Sequence, residues 1–145
     1  MISQDFKEFV RLLNEKQIEY LIVGGYAVSF HGYPRYTGDI DIWIKTSSEN
    51  AEKMPAILDD FGFGSFQLTK DDFLNADNII QLGYPPNRID IITSIDGVNF
   101  EECYINRVVK KVDEIEINFI GLADLIKNKK ATGRDRDIID LKNLS

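Results

Sequence analysis

The stretch GGYAVSFHGYPRYTGDIDIWI, residues 24–44, decides the reading of this 145-residue chain. It opens with Gly24 and Gly25, directly after the apolar run Tyr20, Leu21, Ile22 and Val23, which predicts a short strand. It closes with Asp39 and Asp41 set into a second apolar run, Ile40, Ile42, Trp43 and Ile44. Residues two apart on a strand point to the same side. Asp39 and Asp41 therefore share one face of that strand, and Ile40 and Ile42 share the other. Two carboxylates aimed at one spot repel unless a proton or a cation lies between them. A hard divalent cation such as Mg²⁺ suits them, because it takes oxygen ligands and keeps positions open for water or substrate phosphates. A D-x-D pair on its own fits a solvated strand face equally well.

The glycine pair narrows the choice. Ala27 and Val28 follow it and predict the start of a short helix. A strand, a glycine turn and a helix N-terminus make a cradle for phosphate, with backbone N–H groups and a favourable dipole. Taken alone, two glycines also make an ordinary tight turn. Residues 31–38, HGYPRYTG, predict a loop that passes near both features. In it Arg35 and Thr37 are candidate nucleotide contacts. The planar fork of Arg35 suits phosphate oxygens, and a surface ion pair is its plainer role. His31 is the one histidine. Histidine is the residue type that changes charge near neutral pH, yet a lone histidine is more often structural.

Outward from this stretch, residues 3–17 predict an amphipathic helix. Phe6, Phe9, Val10 and Leu13 recur at helical spacing, and Ser3 stands as N-cap. A second helix opens at Ser47 or Ser48 and reaches about Phe61, with Pro55 expected to kink it or start a new turn. Residues 79–84 and 88–93 predict two strands joined as a hairpin. Asp90 lies in the second, between Ile89 and Ile91, where an unpaired carboxylate is costly. A strand-end aspartate accepting backbone hydrogen bonds is its plainer reading. A short helix over 100–104 and strands over 108–112 and 115–120 follow. Two C-terminal helices are broken near Thr132 and Gly133, and Ile138, Leu141 and Leu144 mark the apolar stripe of the last. Lys127, Lys129, Lys130, Arg134 and Arg136 form the densest basic patch, either a phosphate clamp or a solvated helix face.

Composition excludes several classes. The formal net charge is −7, which argues against generic DNA or RNA binding, since that needs basic surface. The single cysteine, Cys103, excludes an internal disulfide and a cysteine-rich zinc site. No apolar stretch approaches a membrane span. The N-terminus lacks the basic and apolar segments of a signal peptide, so a cytoplasmic location is expected.

The run from Gly24 to Ile44 resembles the polymerase-β-type nucleotidyltransferase superfamily. Within it, the same run and the C-terminal NKKATGRDRDIIDL look like the small bacterial branch related to AbiEii-type toxins and minimal nucleotidyltransferases. The resemblance implies a third carboxylate on a neighbouring strand, and Asp90 matches that position. It implies that Asp39, Asp41 and Asp90 hold metal and act in catalysis, with two Mg²⁺ ions bound alongside the NTP. It implies that Gly24 and Gly25 cradle the triphosphate. The branch's N-K-[RK]-A-x-x-R-x-x-D run matches Asn128, Lys129, Lys130, Ala131, Arg134 and Asp137. By that match Lys129 contacts phosphate, while Arg134 and Asp137 support the local structure.

The expected fold is α/β, or α+β in stricter terms. It is one domain over residues 1–145, a mixed twisted sheet with flanking helices packed mainly on one side. The expected activity moves an NMP group from an NTP to a hydroxyl on tRNA or on a partner protein, as a toxin–antitoxin component. The competing class is a catalytically silent protein of the same fold that binds a partner, as an antitoxin does.

Overall fold

Strict alternation along the central strands builds the molecule. The computed structural model describes residues 3–33, 38–63, 67–84 and 87–144. Helix α1 (Gln4–Glu15) leads into β1 (Tyr20–Val23), which runs straight into α2 (Gly24–Phe30). Strand β2 (Ile40–Ile44) and helix α3 (Ser48–Asp60) follow, then a 3₁₀ turn at Lys70–Phe73. The hairpin of β3 (Ile79–Leu82) and β4 (Ile89–Ile92) precedes α4 (Phe100–Ile105). The chain ends with β5 (Val108–Val112), β6 (Ile115–Phe119), α5 (Leu122–Thr132) and α6 (Asp135–Leu144). Among the described residues the strands form one sheet in the order β3-β4-β2-β1-β6-β5. Its β1–β2, β3–β4 and β5–β6 pairs are antiparallel, whereas β2–β4 and β1–β6 are parallel.

Both faces of the sheet are covered. Tyr20, Ile22, Ile40, Ile42 and Ile44 pack with Phe6, Phe9, Val10 and Leu13 of α1 and Met54, Ile57 and Leu58 of α3. Leu21, Val23 and Trp43, on the opposite face, pack with Ala27 and Val28 of α2, Phe100 and Cys103 of α4, and Leu125 of α5. The expectation of helices mainly on one side is therefore corrected. The physical reason lies in β1, where all four residues are buried. A strand apolar on both faces needs cover on both.

The local signals act as their chemistry requires. Ser3 caps α1, its Oγ accepting from the Phe6 N–H at 3.2 Å. Ser47 caps α3 in the same way through the Asn50 N–H, at 3.1 Å. Helix α3 continues through Pro55 instead of restarting there. Asn50 is buried and ties the start of α3 to the sheet. Its side-chain amide donates to the carbonyls of Glu19 (2.9 Å) and Lys45 (3.1 Å) and accepts from the Glu19 N–H (3.2 Å). Gly133 ends α5 in the left-handed conformation, at φ 59°, which a glycine adopts without a Cβ penalty.

Helix α6 departs from its apolar pattern. Ile138 and Ile139 are about half exposed, at 46% and 53%, while Asp137 and Asp140 are buried. Two carboxylates face inward because two cations meet them there. Lys129 Nζ lies 3.1 Å from Asp137 and 3.2 Å from Asp140, and Arg134 Nε lies 2.8 Å from Asp137. Charge pairing of Lys129 and Arg134 with Asp137 and Asp140 turns Ile138 outward, while Leu144 still packs on the core.

Candidate active site

Register brings the acidic residues together. Strand β2 pairs in parallel with β4, and Asp41 stands opposite Asp90. Asp39 lies just before β2, two residues from Asp41 and on the same face. The three border one cleft of about 520 Å³, with Gly24, Gly25, Arg88, Lys129, Arg134 and Arg136 also on its walls. A larger groove of about 690 Å³ lies elsewhere, between α1 and the β5–β6 hairpin, and none of these three aspartates borders it.

Asp90 is buried, whereas Asp41 is partly exposed on the cleft wall. Burial pushes its carboxyl up to about 7, and the charges of Asp90 and Asp39 push in the same direction. A hydrogen bond with Asp90 adds to the shift, and the Lys129 charge opposes it. Gly24 exists as a glycine because of Asp41. Its φ is +66°, and a Cβ there would stand 2.0 Å from Asp41 Oδ2. No side chain caps the start of α2. The glycine turn therefore makes room for a carboxylate as well as opening the cleft to the first backbone N–H groups of the helix.

Arg88, just ahead of β4, is a site residue that the motif reading missed. Its Nε and Nη2 donate to the two oxygens of Asp90 at 2.8 and 3.0 Å. The same Nη2 reaches Asp39 Oδ2 at 2.9 Å. The Asp90 hydrogen bonds, chiefly, raise the basicity of the guanidinium above its ordinary value. The signal was present in the sequence. R-x-D over 88–90 obeys the same two-residue rule as D-x-D over 39–41, so Arg88 shares the face of Asp90.

The donor set suits a hard divalent cation. It consists of carboxylate oxygens, and Asp39 Oδ1 is buried with no hydrogen-bond partner. A buried unpaired carboxylate oxygen is costly and marks a place for a ligand. Among the described residues, however, no three acidic, histidine or cysteine side chains stand gathered as a ready metal site. Arg88 bridges two of the three candidates instead.

The other predicted residues separate. Lys129 borders the cleft, but its ammonium is buried and held by Asp137 and Asp140. Asp137 accepts from Thr132 Oγ1 at 2.5 Å and from the backbone N–H, Nε and Nη2 of Arg134 at 3.1, 2.8 and 3.3 Å. Burial alone would raise its carboxyl. The bonds from Arg134, Thr132 and Lys129 outweigh burial and hold it well below the usual carboxylate range. His31 bonds through Nε2 to the Ile120 carbonyl at 2.7 Å, a structural contact. Cys103 is buried, and its thiol is pushed up to about 12 by that burial and by Asp124, which leaves it inert as a nucleophile. Arg35 and Thr37 lie outside the described residues.

This mixed sheet, with its acidic strand pair and glycine-led helix, has the nucleotidyltransferase fold. The chain belongs to the family described as nucleotidyltransferase of unknown function (DUF6036), whose profile matches residues 2–145. Solved structures of similar fold include the TM1012 protein of Thermotoga maritima, a proposed nucleotidyltransferase. It is 13% identical, with a TM-score of 0.64 over 98% of this chain and 93% of that one. An antigenic nucleotidyltransferase-like protein from Paracoccidioides brasiliensis is also 13% identical, with a TM-score of 0.62 over 95% of this chain and 71% of that one. The lincosamide antibiotic adenylyltransferase LnuA, solved with lincomycin bound, is 15% identical, with a TM-score of 0.59 over 99% of this chain and 96% of that one. No curated protein sequence matches this chain significantly. Among the described residues no helix is long and apolar enough to cross a membrane.

Proposed function

We propose that this protein transfers a nucleoside monophosphate from an NTP to a hydroxyl acceptor, with Mg²⁺ held by Asp39, Asp41 and Asp90. The observation that carries this reading is the parallel register of β2 and β4, which sets Asp41 against Asp90 in one cleft beside Gly24. In the reaction the acceptor oxygen bonds to the α-phosphorus. The bond from that phosphorus to the β-phosphate oxygen breaks, and pyrophosphate leaves. Asp90 takes the acceptor proton once its carboxylate is released from Arg88. Bound divalent cation lowers the acceptor's pKa and offsets charge on the phosphates. The N–H groups at the start of α2 and the guanidinium group of Arg136 would face phosphate oxygens across the cleft.

The acceptor is a hydroxyl on tRNA or on a partner protein, and the protein acts as one component of a toxin–antitoxin pair in the cytoplasm. A small-molecule hydroxyl is the other acceptor class, favoured by the fold shared with LnuA. The second reading, a silent protein that acts by contact, is favoured by the Arg88 bridge across Asp39 and Asp90.

Calorimetry with each of the four NTPs, with and without Mg²⁺, separates these readings. Wild type is expected to bind one NTP in a Mg²⁺-dependent way, and an Asp39→Asn/Asp41→Asn double variant is expected to lose that binding. The NTP so named is then used, labelled, in an acceptor search. A folded wild type that binds no NTP overturns the enzyme reading.

A further inference from the structure

Arg88 occupies the oxygens that a divalent cation would need. One guanidinium covers both oxygens of Asp90 and one of Asp39, and the remaining oxygen of Asp39 has no partner. A cation that joins all three carboxylates would stand close to the guanidinium, and like charges at that distance repel. The backbone of Arg88 is fixed, since its carbonyl accepts from the Ile40 N–H at 3.1 Å. Its side chain is a quarter exposed and borders the cleft. Moving the side chain would therefore leave the strand pair in register. A displaced guanidinium needs another planar pair of anionic oxygens, and phosphates supply that geometry.

We propose that Arg88 is the displaceable counter-cation of this site. It holds Asp39 and Asp90 in the free protein and exchanges them for nucleotide phosphates when divalent cation arrives with the NTP. The proposal rests on the nucleotidyltransferase reading above. It adds that metal and nucleotide bind as one coupled event. Each makes room for the other through Arg88, so metal alone binds weakly. The same exchange keeps Asp39 and Asp90 paired with a cation when no substrate is present.

The test compares wild type with Arg88→Gln and Arg88→Lys. MnCl₂ alone is titrated by calorimetry, and then Mg²⁺ with the NTP that wild type binds. Removing a bidentate charged competitor is expected to tighten Mn²⁺ binding to Arg88→Gln by ~10-fold or more. The same variant is expected to bind Mg²⁺·NTP ~10-fold more weakly, because it lacks the phosphate contact. Arg88→Lys is expected to fall between, since a lysine keeps the charge without the fork. Unchanged or weaker Mn²⁺ binding by a folded Arg88→Gln overturns the proposal. A second measurement needs no variant. In wild type the NMR signal of the Arg88 Nε–H is expected to shift when Mg²⁺ and a non-hydrolysable NTP saturate the protein, and to stay when Mg²⁺ alone is added at the same concentration. A signal that does not move at saturation also overturns the proposal. Failure of the underlying reading looks different, since wild type then binds no NTP with Mg²⁺ at all, and the proposal falls with it.

Discussion

Asp41 borders the cleft and Asp137 is buried against Lys129 and Arg134, and the protonation of the two is driven in opposite directions. Asp41 is pushed up to about 7, first by burial and then by two neighbouring carboxylates. Asp137 is drawn down against its own burial by Arg134, Thr132 and Lys129. Burial is common to both, so burial does not separate them. The neighbours do. The α5–α6 cluster is saturated with donors and reads as architecture. The β2–β4 cluster is short of positive charge even with Arg88 in place, and that deficit is what a metal-bound nucleotide would fill. Excess like charge in a cleft is a functional signature, whereas a balanced buried network is a structural one.

The largest test of this contrast is Asp137→Ala. It leaves the buried Lys129 with Asp140 alone and takes away the partner of Arg134, and it is expected to destabilise the fold by ~3 kcal/mol, the usual consequence of breaking a buried ion pair. Urea denaturation measures it, and a loss under ~1 kcal/mol would mean that α6 docks by apolar contact instead. Asp90→Asn should do the reverse, leaving the fold standing while lowering transfer by ~10²–10³, the range for losing a general base. Near wild-type turnover by that variant would sink the role given to Asp90.

Gly24→Ala sharpens the comparison at the glycine turn. A Cβ there meets Asp41 Oδ2, and the positive φ adds strain, so a loss of ~1–2 kcal/mol is expected in thermal unfolding. Asp41→Asn removes one charge from a crowded group. It is expected to stabilise the metal-free protein by ~1–2 kcal/mol, while abolishing Mg²⁺-dependent NTP binding. A destabilised Asp41→Asn would show that the carboxylate is held by donors as Asp137 is.

The smallest effect is in acid. Asp137 has a lowered pKa when folded, so the unfolded chain binds the proton more tightly. The stability that Asp137 supplies is fully present above its ordinary value of 3.8 and is lost as pH falls towards its lowered folded value. Wild type is expected to lose stability on acidification below about pH 4 more steeply than Asp137→Asn, a difference that denaturation at stepped pH would measure.

Much of this was legible before any coordinates. Helix α1 was readable because its apolar spacing and its cap are properties of neighbouring residues, and both act as expected. The shared face of Asp39 and Asp41 followed from the two-residue period of a strand. Helix α3 runs on through Pro55, because it is anchored by Asn50 and by buried Met54, Ile57 and Leu58, which outweigh one missing hydrogen bond. Of the stripe Ile138, Leu141 and Leu144, Leu144 packs on the core but Ile138 is about half exposed, because an apolar pattern cannot show that Lys129 and Arg134 will turn Asp137 inward. The motif that marks Lys129 as a phosphate contact does not show that its ammonium also lies between Asp137 and Asp140.

The sequence by itself determined the elements, their order and the side of each strand on which its carboxylates stand, because periodicity and capping are local. Only the tertiary structure decided that β2 lies parallel to β4, that Asp41 meets Asp90, and that Arg88 reaches across to Asp39. Pairing between distant strands is chosen by what the whole sheet can bury on its two faces, and no local pattern contains that information.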